Sequence, residues 1–301
     1  VQLLHVALRM ASPIMLTALG GMFAMRVGVF NIGLEGFMLA GCFGAVWGTS
    51  LSSNPYVGIL MGMIVAMCLT LIYALFVLDM GVDPIIAALA SIMMSTGLTR
   101  YLLRPLLGVR GRFILPRNLG LPLISIPLIK DIPFIGPIIS NHSIIVYISW
   151  ALFPIVHTIL YRTSFGLQMR AVGEEAKAAM SSGINARRVR YLALAINGLL
   201  CGLAGAQLSL GFTQMFNEGM TNGRGFTALA ALTLASYEPL ATLAACMLFG
   251  ISESFVIMFS GSGYAIQLLS MVPYWLTVIV AVIAAVLKRS RKGADEKGVA
   301  A

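Results

Sequence analysis

The chain has 301 residues, enough for two ordinary soluble domains, yet 59% of it is hydrophobic and only 10% is charged, with a mean hydropathy of +0.92. Soluble domains carry roughly 25% charged residues, so a chain this poor in charge cannot clothe its own core and reads as a multispanning membrane protein. The net charge of +9 sits in loops and at span ends, which fits membrane orientation and argues against nucleic acid as a partner.

Uncharged runs cover residues 36–78, 132–161, 191–217 and 254–287, and each can hold one or two spans of about 20 residues. The apolar stretches lack the alternation of lipid-facing strands, so helices are expected and an outer-membrane barrel is not. The chain opens without a charged n-region, short apolar stretch and small-residue cleavage site, so no removable signal peptide is expected. The first helix is expected over residues 5–25. A second, over 32–51, carries Glu35 near its start and small residues at Ala40, Gly44 and Gly48, a spacing that lets another backbone approach closely. A third helix is expected over 56–78 and a fourth over 84–103, where Pro84 suits a helix start.

Residues 104–142 hold six prolines, Pro105, Pro116, Pro122, Pro127, Pro133 and Pro137, too many for a regular span, so this segment reads as an extracytoplasmic or re-entrant loop. A fifth helix fills 143–161, with Pro154 as a possible kink. The segment 162–190 carries Arg162, Arg170, Lys177, Arg187, Arg188 and Arg190 against Glu174 and Glu175, and the positive-inside rule places it in the cytoplasm. Within it, Glu174 and Glu175 precede Ala176, Lys177, Ala178, Ala179 and Met180, and Gly183 follows as a stop; this predicts a short helix outside the membrane.

The next helix is expected over 191–212, with Gly198, Gly202 and Gly205 near one face. A polar stretch over 214–224 then leads into an apolar piece over 226–235, about 15 Å long as a helix and too short to span a core of roughly 30 Å. It is either a half-helix or the end of a tilted span that begins in the polar stretch. Helices over 240–259 and 265–287 complete the membrane domain, residues 1–287, and the basic tail 288–301 is expected in the cytoplasm. With the tail and 162–190 on one side, the crossings between them must be even in number, which favours counting the short piece as a crossing. The fold class is thus all-α, a polytopic inner-membrane bundle of about nine helical membrane elements. Arg100, Arg104, Arg110, Arg112, Arg117 and Lys130 then fall on the outer side, against the usual bias, which long loops follow weakly.

No Gly-x-x-x-x-Gly-Lys-Ser/Thr sequence occurs, so the chain carries no P-loop. The cysteines Cys42, Cys68, Cys201 and Cys246 and the histidines His5, His142 and His157 are scattered without metal-ligand spacing. What remains is a set of polar residues in or beside apolar spans: Asn31, Glu35, Asn197, Gln207, Glu218, Glu238 and Glu253. A carboxylate at membrane depth is expensive, which marks a functional site by default. The alternative is structural: Glu35, Glu238 and Glu253 capping helices at interfaces, and Asn197 and Gln207 bonding neighbouring helices.

Arg26-Val-Gly-Val-Phe-Asn-Ile-Gly-Leu-Glu-Gly36 resembles the Gly-x-x-Asn-Ile-Gly-x-Glu-Gly signature of ABC importer permeases of the branched-chain amino acid, ribose and nucleoside group. Thr163-Ser-Phe-Gly-Leu-Gln-Met-Arg-Ala-Val-Gly-Glu174, with Ala178, Ala179 and Gly183, resembles the coupling loop of the same family, and Gly202-Leu-Ala-Gly-Ala206 and Gly223-Arg-Gly-Phe-Thr-Ala-Leu-Ala230 match further blocks. The resemblance implies a permease subunit in a bacterial inner membrane, fed by an extracytoplasmic solute-binding protein. It would be driven by separate ATPase subunits that hold ATP and Mg, with no cofactor on this chain. It implies that Gly173, Glu174, Glu175, Ala178, Ala179 and Gly183 form the coupling element. Asn31, Glu35, Asn197 and Glu253 are the candidates for the translocation path or its gate. The Asn-Ile-Gly-Leu-Glu-Gly form looks most like nucleoside permeases, which commonly pair two different permease chains, a homodimer being the alternative; ribose or another simple sugar and branched-chain amino acids are the alternative substrates. An ion-coupled secondary transporter, with Glu35 or Glu253 carrying a proton or Na⁺, is the competing class.

Overall fold

The computed structural model describes residues 2–116, 119–125 and 136–259, together with the isolated positions 271, 275 and 282. Eleven helices occur among the described residues: α1 (Gln2–Arg26), α2 (Leu34–Ser52), α3 (Pro55–Leu78), α4 (Pro84–Leu107), α5 (Gly136–Ile139), α6 (Ile144–Arg162), α7 (Ser164–Glu174), α8 (Ala176–Ser181), α9 (Ala186–Ala206), α10 (Arg224–Leu234) and α11 (Pro239–Phe259). A π-helical turn, Gln207–Thr213, continues α9. Seven of these are long and apolar enough to cross a membrane, and α10 is a shorter apolar helix. They account for eight of the roughly nine membrane elements expected; the ninth, over 265–287, and the tail 288–301 lie outside the described residues.

The helix boundaries follow local chemistry. Asn54 and Asp83 each cap the helix that a proline opens, with Asn54 Oδ1 accepting from the Tyr56 N–H and Asp83 Oδ1 from Ile85 and Ile86. Helix α4 runs four residues further than the sequence suggests because Pro105 is accommodated within its last turn and Gly108 closes it in a left-handed conformation. Pro154 lies within α6.

The core is a seam of α2, α3 and α9, where glycines replace side chains so that backbones touch. A Cβ at Gly41 would sit 2.7 Å from Gly202 Cα, and one at Gly202 would sit 2.6 Å from Gly62 O. In lipid such contacts hold helices together by packing and not by hydrophobic burial. Helix α1 lies across this seam, its residues 10–24 entirely buried against α9, α10 and α11. By contrast α3 and α4 expose Leu60, Ile64, Ile86 and Met93, a surface suited to lipid or to another membrane chain.

Two clusters mark opposite ends of the bundle. At the end carrying residues 162–190, the proximal end, Arg26 donates to Tyr161 Oη (2.7 Å) and Tyr237 O (2.9 Å), and Tyr161 donates to Glu238 (2.8 Å). At the distal end Arg9 donates to Gly211 O (2.6 Å), and the rings of His5 and His142 stack at 4.2 Å. Residues 108–116, 119–125 and 136–143 of the loop are also distal. Its strand β1 (Arg112–Ile114) pairs antiparallel with β4 (Met215–Asn217), and β2 (Leu123–Ile124) pairs with β3 (His142–Ser143). Burial lowers the pKa of His142 from its ordinary value.

Helix α10 settles the fate of the short apolar piece. Its C-terminal end reaches the proximal cluster through Tyr237 and Glu238, while 11 residues give it a length of only about 16 Å. Its N-terminus therefore lies inside the bundle, and the non-helical segment 214–223 supplies the rest of the crossing. Helix α2 is also preceded by irregular backbone: residues 27–33 leave the proximal end of α1 and rise to Leu34. Irregular backbone at membrane depth is tolerated only where protein buries it or where it lines an aqueous cavity.

Candidate functional site

Helices α2 and α10, each entered from irregular backbone, meet at their N-termini. Glu35, in the first turn of α2 and only 8% exposed, accepts hydrogen bonds from the N–H groups of Gly223 (2.8 Å, Oε1) and Gly225 (2.6 Å, Oε2) at the start of α10. The carboxylate thus satisfies two donors that a buried helix end leaves open, and it faces the positive end of the α10 dipole. The approach is close because Gly225 has no side chain: a Cβ there would collide with the backbone of Glu35.

Between those glycines, Arg224 turns the other way and forms a two-pronged ion pair with Glu253 of α11, Nε and Nη2 both 3.0 Å from Oε2. Both side chains are 15% exposed, so each charge needs the other. Helix α4 completes the support, with Ser95 Oγ donating to Gly36 O at 2.7 Å.

Glu35 and Glu253, 218 residues apart, are therefore brought to one point by the N-terminus of α10. Asn31 lies on the 27–33 segment just before it, fully buried, with Oδ1 accepting from the Gly33 N–H at 2.9 Å and Nδ2 unpartnered among the described residues. Asn197 sits on α9 against Gly20 of α1, its Oδ1 accepting from Cys201 Sγ of the same helix at 3.2 Å and its Nδ2 unpartnered among the described residues. Arg224, Gly223 and Gly225 were not singled out as site residues; the signal that could have found them is the Gly-Arg-Gly at the head of an apolar helix too short to span.

Distal to this junction, between the π turn of α9 and the start of α10, lies a cavity of about 460 Å³ lined by residues including Phe212, Thr213, Asn217, Met220, Asn222 and Arg224. Glu218 borders it and a second cavity of about 700 Å³ that Arg100, Arg104 and Arg110 face. Arg100 pairs with Glu218 at 3.1 Å.

At the proximal end the segment 162–190 forms two helices where one was expected over 174–183. Helix α7 ends at Glu174, and Glu175 adopts an extended conformation and caps α8, its Oε1 accepting from the Lys177 N–H. Gly183 ends the element with φ +83°. Gly173 does not shape a turn but fits against α1, where a Cβ would collide with Arg26 O. Glu174, Glu175, Ala178 and Gly183 face outward, whereas Ala179 is buried. The ends of α3 and α9 are joined close by, with Tyr191 and Arg187 donating to Asp79 Oδ2 at 2.7 and 2.8 Å. These hydrogen bonds, the tyrosine's first, hold the Asp79 carboxyl below its ordinary pKa.

Residues 3–287 match the model of a family described as the branched-chain amino acid transport system / permease component. The chain belongs to that family. Among relatives, the guanosine ABC transporter permease protein NupQ of Bacillus subtilis is 34% identical over 261 residues, 82% of this chain and 79% of the relative. The nucleoside ABC transporter permease protein NupC of Lactococcus lactis is 28% identical over 282 residues, 90% and 88% of the two chains. A Haloferax volcanii protein provisionally named as a glucose ABC transporter permease is 30% identical over 256 residues, 84% and 76% of the two chains. A solved structure described as an inward-facing ABC transporter of metal-chelate type covers 95% of this chain and 86% of its own, with a TM-score of 0.50 at 14% identity; it supports the fold. The chain is a membrane-embedded permease subunit of an ABC transporter.

Proposed function

We propose that this permease carries nucleosides into the cytoplasm. The observation that carries the substrate class is the 34% identity to a guanosine permease across about four-fifths of both chains. In this reading the proximal end is cytoplasmic, since it bears the basic segment 162–190. The exposed Glu174, Glu175, Ala178 and Gly183 form the surface on which an ATPase subunit docks, and Gly173 and Ala179 seat that surface against the bundle.

ATP and Mg bind on the separate ATPase, a binding protein delivers solute to the distal face, and a second, different permease chain completes the path. Closure of the ATPase dimer pushes on α7 and α8. Gly173 passes the movement to the end of α1 and to residues 27–33, which lead directly into Asn31 and Glu35. Motion there shifts α2 against α10, and alternating access follows from the rearrangement of that junction. A simple sugar is the second reading, favoured by the identity to the Haloferax volcanii protein.

The test is uptake of labelled guanosine by cells that express this chain with the ATPase, binding protein and partner permease encoded beside it. Uptake that needs ATP hydrolysis and is displaced by uridine but not by glucose, ribose or leucine is the expected result. Displacement by glucose or ribose would move the substrate to sugars, and uptake without the ATPase would sink the ABC mechanism.

A further inference from the structure

A helix N-terminus inside a membrane bundle attracts anions, and broken helices in transporters use such ends to hold the acidic group of a substrate. Here that position is taken. The Gly223 and Gly225 N–H groups are bound by Glu35, and Arg224, the one cation at the junction among the described residues, is bound by Glu253. The charges at the inner end of the 460 Å³ cavity are therefore satisfied within the chain.

We propose that Glu35 is a resident anion that fills the anion site of α10 and thereby makes the adjoining cavity a station for uncharged solutes bearing a flat ring, nucleosides and not nucleotides. This rests on the reading of the chain as a nucleoside importer. A phosphate or carboxylate entering the cavity meets the Glu218 carboxylate on its wall, finds the lining Arg224 engaged by Glu253, and finds the Gly223 N–H behind it already bound by Glu35. An uncharged solute meets the amides of Asn217 and Asn222, which both donate and accept, and the Thr213 hydroxyl. Met215 and Met220 offer polarisable thioethers to an aromatic ring. Phe212 adds a ring, with the Arg9 guanidinium 5.1 Å from its centroid. Arg100, Arg104 and Arg110 line the second cavity and not this one, and Arg100 is paired with Glu218.

The test reads occupancy directly. Met220→Cys is placed in a Cys68→Ser background, since Cys42, Cys201 and Cys246 are buried, and the permease–ATPase complex in lipid nanodiscs is labelled with N-ethylmaleimide, without binding protein. Guanosine should slow labelling, about threefold when present at twice its dissociation constant, while guanosine 5′-monophosphate and glucose at the same concentration should not. In Glu35→Gln the monophosphate should protect as well. No protection by guanosine, or equal protection by the monophosphate or by glucose with Glu35 intact, overturns the proposal, and these arms need no change at Glu35. Failure of guanosine uptake by the complete unmutated transporter would instead overturn the import reading, so the two failures are distinguishable.

Discussion

The Glu35 carboxylate and the Gly225 N–H, 190 positions apart in the chain, are joined by a 2.6 Å hydrogen bond in the interior of the bundle. The bond ties the start of α2, a helix long enough to cross, to the start of α10, a helix too short to do so, and one residue holds the two together. Replacing Glu35 with Ala leaves two buried donors unpaired, at a cost of about 2–5 kcal/mol. Transport should be lost and the melting temperature of the purified complex lowered, whereas Glu35→Gln, which keeps an acceptor, should lose less of both. Equal behaviour of Ala and Gln would mean that the hydrogen bonds are not what holds the junction.

Gly225→Ala tests the closeness of the same contact from the other side. The added Cβ collides with the Glu35 backbone, and overpacking of this kind costs about 1–3 kcal/mol. Thermal unfolding should shift downward and uptake should fall. The Gly219→Ala variant, where a Cβ meets open space but φ is +66°, should be affected through backbone strain alone, by about 1 kcal/mol.

The Arg224–Glu253 pair is largely shielded, each side chain 15% exposed. Removing only Arg224, as in Arg224→Met, strands the Glu253 carboxylate and should destabilise by about 3–5 kcal/mol, while the double variant Arg224→Met/Glu253→Gln should recover much of that loss. A double-mutant cycle on thermal stability measures the coupling; additive losses would mean the pair does not act as a unit.

At the proximal surface, Ala178→Arg puts a long cation on the exposed face of α8 without touching the core. Insertion and melting should be unchanged, and the ATPase should co-purify poorly, with uptake reduced at least tenfold, the equivalent of about 1.4 kcal/mol of lost docking. Retention of the ATPase at wild-type stoichiometry would remove α8 from the docking surface.

Asp79 supplies a pH signature. Its folded pKa is depressed by the Tyr191 and Arg187 donors, so its contribution to stability is fully present above the ordinary aspartate value near about 3.9 and fades as pH falls through the lower, folded value. The stability difference between the native protein and Asp79→Asn should be constant from neutral pH down to that range and shrink below it. A difference that changed between pH 6 and 8 would point to another group.

Much of the architecture was legible in the residues before any tertiary contact was known. Span positions follow from hydropathy, because every backbone polar group in lipid must be bonded within its own helix and a run of about 20 apolar residues has no other stable form. Pro55 and Pro84 beside Asn54 and Asp83 fix helix starts through local hydrogen bonds, and Gly183 ends α8 through a backbone conformation few other residues adopt. Asn31, Glu35 and Glu253 were identifiable as costly at membrane depth. Their partners were not, since nothing local relates Glu35 to Gly223 and Gly225, or Glu253 to Arg224, across such sequence distances. The same holds for Gly173, whose neighbour Arg26 belongs to α1, and for Asn197, which lies against Gly20 of α1. Patterning of apolar and polar residues depends on each element's own solvent and is therefore written along the chain. The pairing of charges, donors and bare glycine backbones depends on which helices cross, and only packing of the whole bundle decides that.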